Sequence, residues 1–184
     1  MAMPDTARRY TVEEVLAFPS DGNRYELVDG ELLVTPPPRS RHQLVAGELY
    51  GRLHRYLGEH GAGVRVVFSP ADIRWPGEVL VQPDLFVVPV DQLRAQDWSG
   101  VRTLLLAVEV ISPSSSRYDR VTKRRVYQRQ RVGTYWVVDP DARVVEVWHP
   151  DDQRPEIVTD VLAWRVPGAA EELKIELETV FAGP

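Results

Sequence analysis

An apolar run near the middle of the chain, Thr103 to Ile111, constrains the fold more than any other feature, and it contains one charged residue, Glu109. A nearly continuous apolar run of this length is typical of a strand that is covered on both faces. Glu109 then points into an apolar layer, because alternate residues of a strand share one face. An ionised carboxylate there is costly unless it is paired or bound to a cation. The run predicts a buried strand whose acid binds a metal ion, pairs with Arg or Lys, or is protonated.

A second acid lies in a similar setting, in the apolar segment Val79 to Val88. Pro83 interrupts this segment, and proline cannot donate a ladder hydrogen bond, so it marks an edge or an irregular point of the strand. Asp84 follows directly, where a distorted strand can direct a side chain into a cleft. The connection between the two apolar segments is short enough for a hairpin, which would bring Asp84 and Glu109 side by side.

The remaining patterns alternate between helices and strands. Thr11 and Glu14 form a capping-box pattern that opens a short helix ending near Phe18. Asp29-Gly30 predicts a hairpin between 25–28 and 31–35. Further helices are predicted over 40–58 and about 117–131, and further strands over 64–69, 71–75, 134–138, 144–148 and near 156–163, while 173–181 is compatible with strand or helix. This order favours an α+β or mixed α/β fold with a central mixed sheet flanked by helices.

Length and composition indicate one soluble domain. The 184 residues suffice for a single domain over 1–184, of which 1–9 have the composition of a disordered start. The chain has no cysteine, which excludes disulfides, thiolate metal sites and cysteine nucleophiles. No run approaches the roughly 18 apolar residues of a membrane span, and the N-terminus has no apolar signal region. We therefore expect no membrane association and a cytoplasmic location.

Two neighbouring carboxylates on buried strands, those of Asp84 and Glu109, suggest a metal site. Hard oxygen ligands from Asp84 and Glu109, completed by water, suit Mg²⁺ or Mn²⁺. Hydrolysis of a phosphodiester also needs positive charge near the attacking water and the phosphate oxygens. Lys123 can provide that charge from the next helix. It is one of only two lysines among 22 basic residues, so its compact ammonium stands out in a chain that otherwise uses arginine.

The segment 117–131 carries seven Arg or Lys and one Asp, although the whole chain has a net charge of −5. Such a distribution allows one basic face on an acidic protein, and a basic face is typical of nucleic-acid contacts. Arg117, Arg120 and Arg124 are the candidate contacts. A solvated helix face with no ligand is an equally good interpretation.

Pro83-Asp84 followed by Glu109 resembles the active-site signature of the PD-(D/E)XK restriction-endonuclease-like superfamily. That signature places a lysine two residues beyond the second acid, where this chain has Ile111. Some branches of the superfamily carry the lysine on the following helix instead, and Lys123 is suitably placed for that arrangement.

A resemblance to the Uma-type family, whose members are called endonucleases largely by analogy, covers about 25–140. It rests on motifs that occur in the same order, namely Tyr25-Glu-Leu-Val-Asp-Gly-Glu31, His42-Gln43, Val81-Gln-Pro-Asp84, Val108-Glu-Val-Ile-Ser-Pro-Ser114, Asp119-Arg-x-x-Lys123 and Tyr135-Trp-Val-Val-Asp-Pro140. The resemblance implies a restriction-endonuclease-like fold and an Mg²⁺-dependent phosphodiesterase site.

The same resemblance adds two candidate site residues. Glu31 is a candidate third acid near the metal, with Glu26 and Glu48 as weaker alternatives. His42, at the start of a predicted helix, is a candidate for contacting a phosphate or orienting water, although a lone histidine is more often structural. Tyr127 shares a helix face with Lys123 and either orients that lysine or packs against the sheet.

Three hypotheses follow. The first is an Mg²⁺-dependent nuclease acting on DNA, in which Asp84, Glu109 and the carbonyl of Val110 bind the metal and Lys123 positions water or stabilises charge. The second is a non-catalytic module that binds nucleic acid through its basic helix. The third keeps hydrolysis but takes RNA or a small phosphoester as substrate. A homodimer is plausible for the first, because two symmetry-related sites can cleave both strands of a duplex.

Overall fold

A computed structural model describes residues 8–94, 97–113 and 115–182. The strands, numbered along the chain, are β1 Arg24–Val28, β2 Glu31–Thr35, β3 Val64–Phe68, β4 Ile73–Trp75, β5 Val79–Val81, β6 Leu85–Pro89, β7 Leu106–Val110, β8 Thr134–Asp139, β9 Val144–Trp148, β10 Glu156–Val158, β11 Val161–Trp164 and β12 Leu173–Glu176. The helices are α1 Val12–Leu16, α2 Ser40–His60, α3 Arg124–Arg129 and α4 Leu177–Phe181. A π-helix, Tyr118–Lys123, runs directly into α3.

The apolar run around Glu109 forms β7, a central strand of a six-stranded sheet with the order β10-β9-β8-β7-β6-β3. β7 and β8 are parallel, and the other neighbouring pairs are antiparallel. All five residues of β7 are buried, as the apolar run predicts for a strand covered on both faces. The predicted mixed sheet is confirmed.

The two faces of this sheet pack against different layers. The buried side chains of α2 and α4 cover one face together with β11 and β12, and Leu106, Val108 and Val110 of β7 point to that side. Ala107 and Ile111 point to the other side, which packs against α3 and the strands β4 and β5. Glu109 lies between these two residues in the alternation, so its carboxylate faces the α3 layer.

A second sheet has the order β2-β1-β5-β4. Its hairpin turns at Asp29 and Gly30, whose φ angles of +52° and +83° fit a two-residue turn of the type predicted for Asp-Gly. β1 is a central strand because it pairs with β5 as well as β2, whereas β2 lies at the edge. The C-terminal segment 173–181 contains both predicted alternatives, a short strand followed by a helical turn.

Pro83 divides the predicted strand 79–88 into two strands that belong to different sheets. β5 ends at Val81 and pairs in the small sheet, and β6 begins at Leu85 and pairs in the large one. The predicted irregular point is confirmed, and Asp84 occupies the joint between the two sheets.

The predicted disorder of 1–9 falls largely outside the described residues. Within the described part, Arg9 donates a hydrogen bond of 2.5 Å to the carbonyl of Asp29. Among the described residues, no helix has the length and apolar character needed to cross a bilayer.

Candidate active site

A pocket of about 200 Å³ opens where β1, β7, the β5–β6 joint and the π-helix meet. Asp84, Glu109, Val110, Lys123 and His42, five of the residues singled out from the sequence, line it. They come from four separate segments of the chain. The antiparallel pairing of β6 and β7 explains part of this convergence, since it places the start of β6 beside the end of β7.

The Asp84 carboxylate is buried and accepts hydrogen bonds at both oxygens. Oδ1 lies 2.8 Å from an Arg24 guanidinium nitrogen, and Oδ2 lies 2.9 Å from Nε2 of His42. Oδ2 also accepts the backbone N–H of Val110 at 2.8 Å. The aspartate side chain thus satisfies the N–H of Val110 beyond the last β6–β7 pair, Leu85 with Val108.

These partners keep Asp84 ionised. Burial alone would raise its pKa, but the hydrogen bond from His42 and the charge of Arg24 outweigh burial and hold the pKa at about 2. An ionised carboxylate can only accept hydrogen bonds, so Nε2 of His42 is the donor in this pair. In the neutral imidazole, Nδ1 is then an acceptor. Among the described residues it has no hydrogen-bond partner.

The Glu109 carboxylate contacts side chains of the π-helix and of α3. Its Oε1 accepts hydrogen bonds from Nζ of Lys123 at 2.9 Å and from the hydroxyl of Tyr127 at 2.8 Å. Lys123 and Tyr127 are four residues apart and reach the same oxygen, as expected for two side chains on one helix face. Tyr127 therefore contacts the acid directly and does not hydrogen-bond to Lys123.

Lys123 is buried among three carboxylates, with a relative side-chain exposure of 2%. Its Nζ lies 2.8 Å from Glu26, 2.9 Å from Glu109 and 3.4 Å from Asp119. Asp119 and Lys123 are four residues apart in the π-helix, so they lie on the same side of it, and both are buried. An ammonium has three N–H donors, and here each has a carboxylate within reach.

Negative charge exceeds fixed positive charge in this cluster. Four buried carboxylates, of Glu26, Asp84, Glu109 and Asp119, face two permanent cations, Arg24 and Lys123. Burial, only partly offset by Lys123, raises the pKa of Glu109 well above its usual value, and the neighbouring acids raise it further. The same causes raise the pKa of Asp119. For Lys123, burial would lower the pKa, but the three acids raise it well above the usual value.

These shifts predict a pH-dependent stability in the absence of divalent metal. A carboxyl group whose pKa is raised in the folded state stays protonated there at pH values at which it is ionised in the unfolded chain. Stability therefore falls as the pH rises from the pKa of the unfolded state to that of the folded state. Glu109 contributes about 1.4 kcal/mol per pH unit over that interval. We expect Glu109→Gln to flatten the loss of unfolding free energy between pH 5 and pH 8, measured by urea denaturation. Glu48→Gln, on the exposed face of α2, should keep the wild-type slope; identical slopes in all three proteins would contradict the assignment.

The third acid at this pocket is Glu26 rather than Glu31. Glu31 is exposed at the start of the edge strand β2 and lines a separate cavity with several arginines. Glu48 is also exposed and lies 3.5 Å from Arg52 of its own helix. Glu26 is buried in the central strand β1, where its Oε1 accepts the backbone N–H of Gln82 at 2.7 Å.

Arg24 and Arg39 line the pocket but were not singled out in the sequence, and Asp119 was named only as part of a family motif, without a role. Asp119 had a usable signal, because it precedes Lys123 by the same four residues that separate Lys123 from Tyr127. Arg24 had none, since it reaches Asp84 only through the pairing of β1 with β5.

The arginines of 117–131 are mostly engaged within the protein. Arg120 donates to Glu146 at 2.5 Å and to Asp139 at 2.8 Å. Arg124 lies over the ring of Trp148, with 4.7 Å between its guanidinium carbon and the ring centroid. Arg117 is exposed. The predicted basic face is therefore partly neutralised by acids of β8 and β9, and of the three candidate contacts Arg117 is the most exposed to solvent.

Within residues 8–94, 97–113 and 115–182, no three His, Asp or Glu side chains are already arranged to surround a metal ion. The carboxylates of the pocket instead point at Arg24, His42 and Lys123. Their oxygen chemistry still suits a hard divalent cation.

The mixed sheet flanked by helices, with Asp84 at the joint of two strands, agrees with a restriction-endonuclease-like fold. A family model described as Uma2, putative restriction endonuclease, matches residues 12–178. The chain belongs to this family. Among solved structures, a putative nuclease of the DUF820 family from Anabaena variabilis matches with a TM-score of 0.76 and 20% identity, covering 94% of this chain and 98% of the other. No curated protein shows significant similarity to the chain.

Proposed function

We propose that this protein is a divalent-metal-dependent phosphodiesterase that cleaves DNA. The observation that carries the proposal is the charge imbalance of the pocket, in which four buried carboxylates are paired with two permanent cations, Arg24 and Lys123. Arg39 also lines the pocket but is exposed to solvent. Burying unbalanced charge is costly. A bound dication would remove the excess of two negative charges, whereas without it the cluster has to hold protons.

Asp84, Glu109 and the carbonyl of Val110 are the groups proposed to hold Mg²⁺ or Mn²⁺. All three line the pocket and offer hard oxygen donors. Asp84 accepts one hydrogen bond at Oδ1 and two at Oδ2, so Oδ1 keeps a lone pair that an ion could use. The ion, when bound, would supply charge neutralisation at the phosphate and lower the pKa of a water molecule.

Lys123 acts in this proposal as a positioning residue. Its Nζ lies within 3.4 Å of carboxylate oxygens of Glu26, Glu109 and Asp119, and its side chain is 2% exposed. It therefore fixes the direction of the Glu109 carboxylate and keeps the acids together. The position of Lys123 supports this role better than direct contact with the substrate.

His42 is proposed to handle the proton of the attacking water. Asp84 orients the imidazole by accepting from Nε2, which leaves Nδ1 as a buried acceptor without a partner among the described residues. A positioned imidazole that is oriented by a carboxylate is a common general base. Arg24 and Arg39, which also line the pocket, provide positive charge for the phosphate.

The direct test is cleavage of DNA by the purified protein. We expect single- or double-stranded DNA to be cut when Mg²⁺ or Mn²⁺ is present and to remain intact with a chelator. Salt-dependent binding of DNA without any cleavage, at metal concentrations shown to saturate the protein, would instead support the non-catalytic binding module. Cleavage of RNA alone would retain the chemistry and change the substrate.

A further inference from the structure

We infer that the groove beside the active site is a nucleobase subsite, which holds the base next to the scissile phosphate; this inference rests on the proposed function. The groove has a volume of about 570 Å³ and runs between α2 and the end of β3. It shares Arg24, His42 and Asp84 with the catalytic pocket, so one nucleotide can occupy both spaces.

An exposed aromatic ring forms one wall of the groove. Phe68, the last residue of β3, is 61% exposed, although most large apolar side chains of the sheet are buried. Tyr50 of α2 supports it edge-on, with 5.4 Å between ring centroids and an angle of 90°. Tyr50 is itself stacked on His54. A supported ring with a free face is the platform on which a nucleobase stacks, whatever its sequence.

The groove also contains hydrogen-bonding groups that suit a base edge. Ser69 Oγ is buried and has no hydrogen-bond partner among the described residues. Gln43 and Asn23 line the same groove. Buried polar atoms normally have a partner, so this hydroxyl is available to a ligand that also has an apolar face for the ring. A nucleobase has both an apolar face and a polar edge.

The backbone connects the groove directly to the catalytic acid. The N–H of Ser69 donates to the carbonyl of Asp84 at 3.0 Å, and Phe68 pairs with Leu85 in the sheet. The aromatic platform is thus held on the backbone that positions Asp84. A base stacked on Phe68 would place its own phosphate on the Arg24 side of the pocket.

Two probes that differ only by the base test the subsite. We would measure binding of deoxyadenosine 5′-monophosphate and of 2-deoxyribose 5-phosphate by calorimetry with Mg²⁺ present; neither has a phosphodiester bond to cleave. We expect the nucleotide to bind at least about tenfold tighter than the sugar phosphate. Phe68→Ala should reduce that preference to about one. Ile157→Ala is the matched control, because Ile157 is 56% exposed on β10 at the opposite edge of the same sheet.

Three results would overturn the subsite. The first is that the wild type binds neither probe or binds both equally. The second is that Phe68→Ala keeps the preference for the nucleotide. The third is that Phe68→Ala only converts a dimer to a monomer, which would show that a second copy covers the ring. DNA cleavage together with equal binding leaves the proposed function standing and removes the subsite. Base-selective binding that depends on Phe68 without any cleavage supports the subsite and removes the proposed function.

Discussion

Glu109→Gln is expected to lower metal-dependent DNA cleavage by at least about 100-fold while the protein stays folded. Changes in groups that merely orient metal ligands already cost about 10–100-fold, so loss of a ligand should cost at least as much. Glutamine has nearly the same shape and keeps an oxygen that can accept from Lys123 and Tyr127, as Glu109 does. The negative charge is lost, and the second carboxylate oxygen is replaced by an NH2 group that cannot bind a metal ion.

Glu109 is a cleaner position for this test than Asp84. Burial raises the pKa of Glu109, so its charge is disfavoured in the folded protein and a neutral side chain costs little stability. Asp84 has its pKa held at about 2 by His42 and Arg24 despite burial, so Asp84→Asn removes a stabilised charge. The amide also replaces one of the two oxygens that accept hydrogen bonds with an NH2 group, so at least one donor loses its acceptor. Cleavage should be compared with the fold checked by circular dichroism. The exposed Glu48→Gln is the control, and cleavage by Glu109→Gln within a few-fold of wild type would rule out Glu109 as a metal ligand.

Lys123→Met is expected to lower the free energy of unfolding by about 3–5 kcal/mol at pH 8, because it leaves three buried carboxylates without their shared cation. The cluster consists of Glu26, Glu109 and Asp119 around a fully buried ammonium. The loss should be smaller at pH 5.5, since Glu109 and Asp119 have raised pKa values and can take up protons. Stability would be measured by urea denaturation at both pH values.

The chain contains its own control for this substitution. Lys174, the other lysine, is exposed on β12. Lys174→Met should change stability by no more than about 0.5 kcal/mol. Equal stabilities of the two variants at pH 8 would contradict the buried-cation account. A loss that is the same at both pH values would contradict the role assigned to the protons on Glu109 and Asp119.

Local sequence patterns predicted the features that depend on neighbouring residues. The Asp29-Gly30 turn, the break at Pro83 and the burial of β7 all follow from propensity and periodicity. The cost of burying a carboxylate and the short connection between the two apolar segments were also enough to predict that Asp84 and Glu109 line one pocket.

The third acid depended on long-range pairing. Glu26 and Glu31 lie on the two strands of one hairpin, and local sequence does not show which strand is central. The pairing of Leu27 with Leu80 makes β1 the inner strand and so buries Glu26. The pairing of basic residues with acids could not be predicted for the same reason. The partners of Arg120 lie on β8 and β9, 19 and 26 residues away.

Titration of the protein with Mn²⁺, followed by electron paramagnetic resonance, tests the central claim most directly because it needs no substrate. The account predicts one saturable Mn²⁺ per chain, displaced by Mg²⁺, with an affinity that falls at least about tenfold in Glu109→Gln and is unchanged in Glu48→Gln. Absence of saturable binding to the wild type, or equal affinity in Glu109→Gln, would contradict a metal site between Asp84 and Glu109.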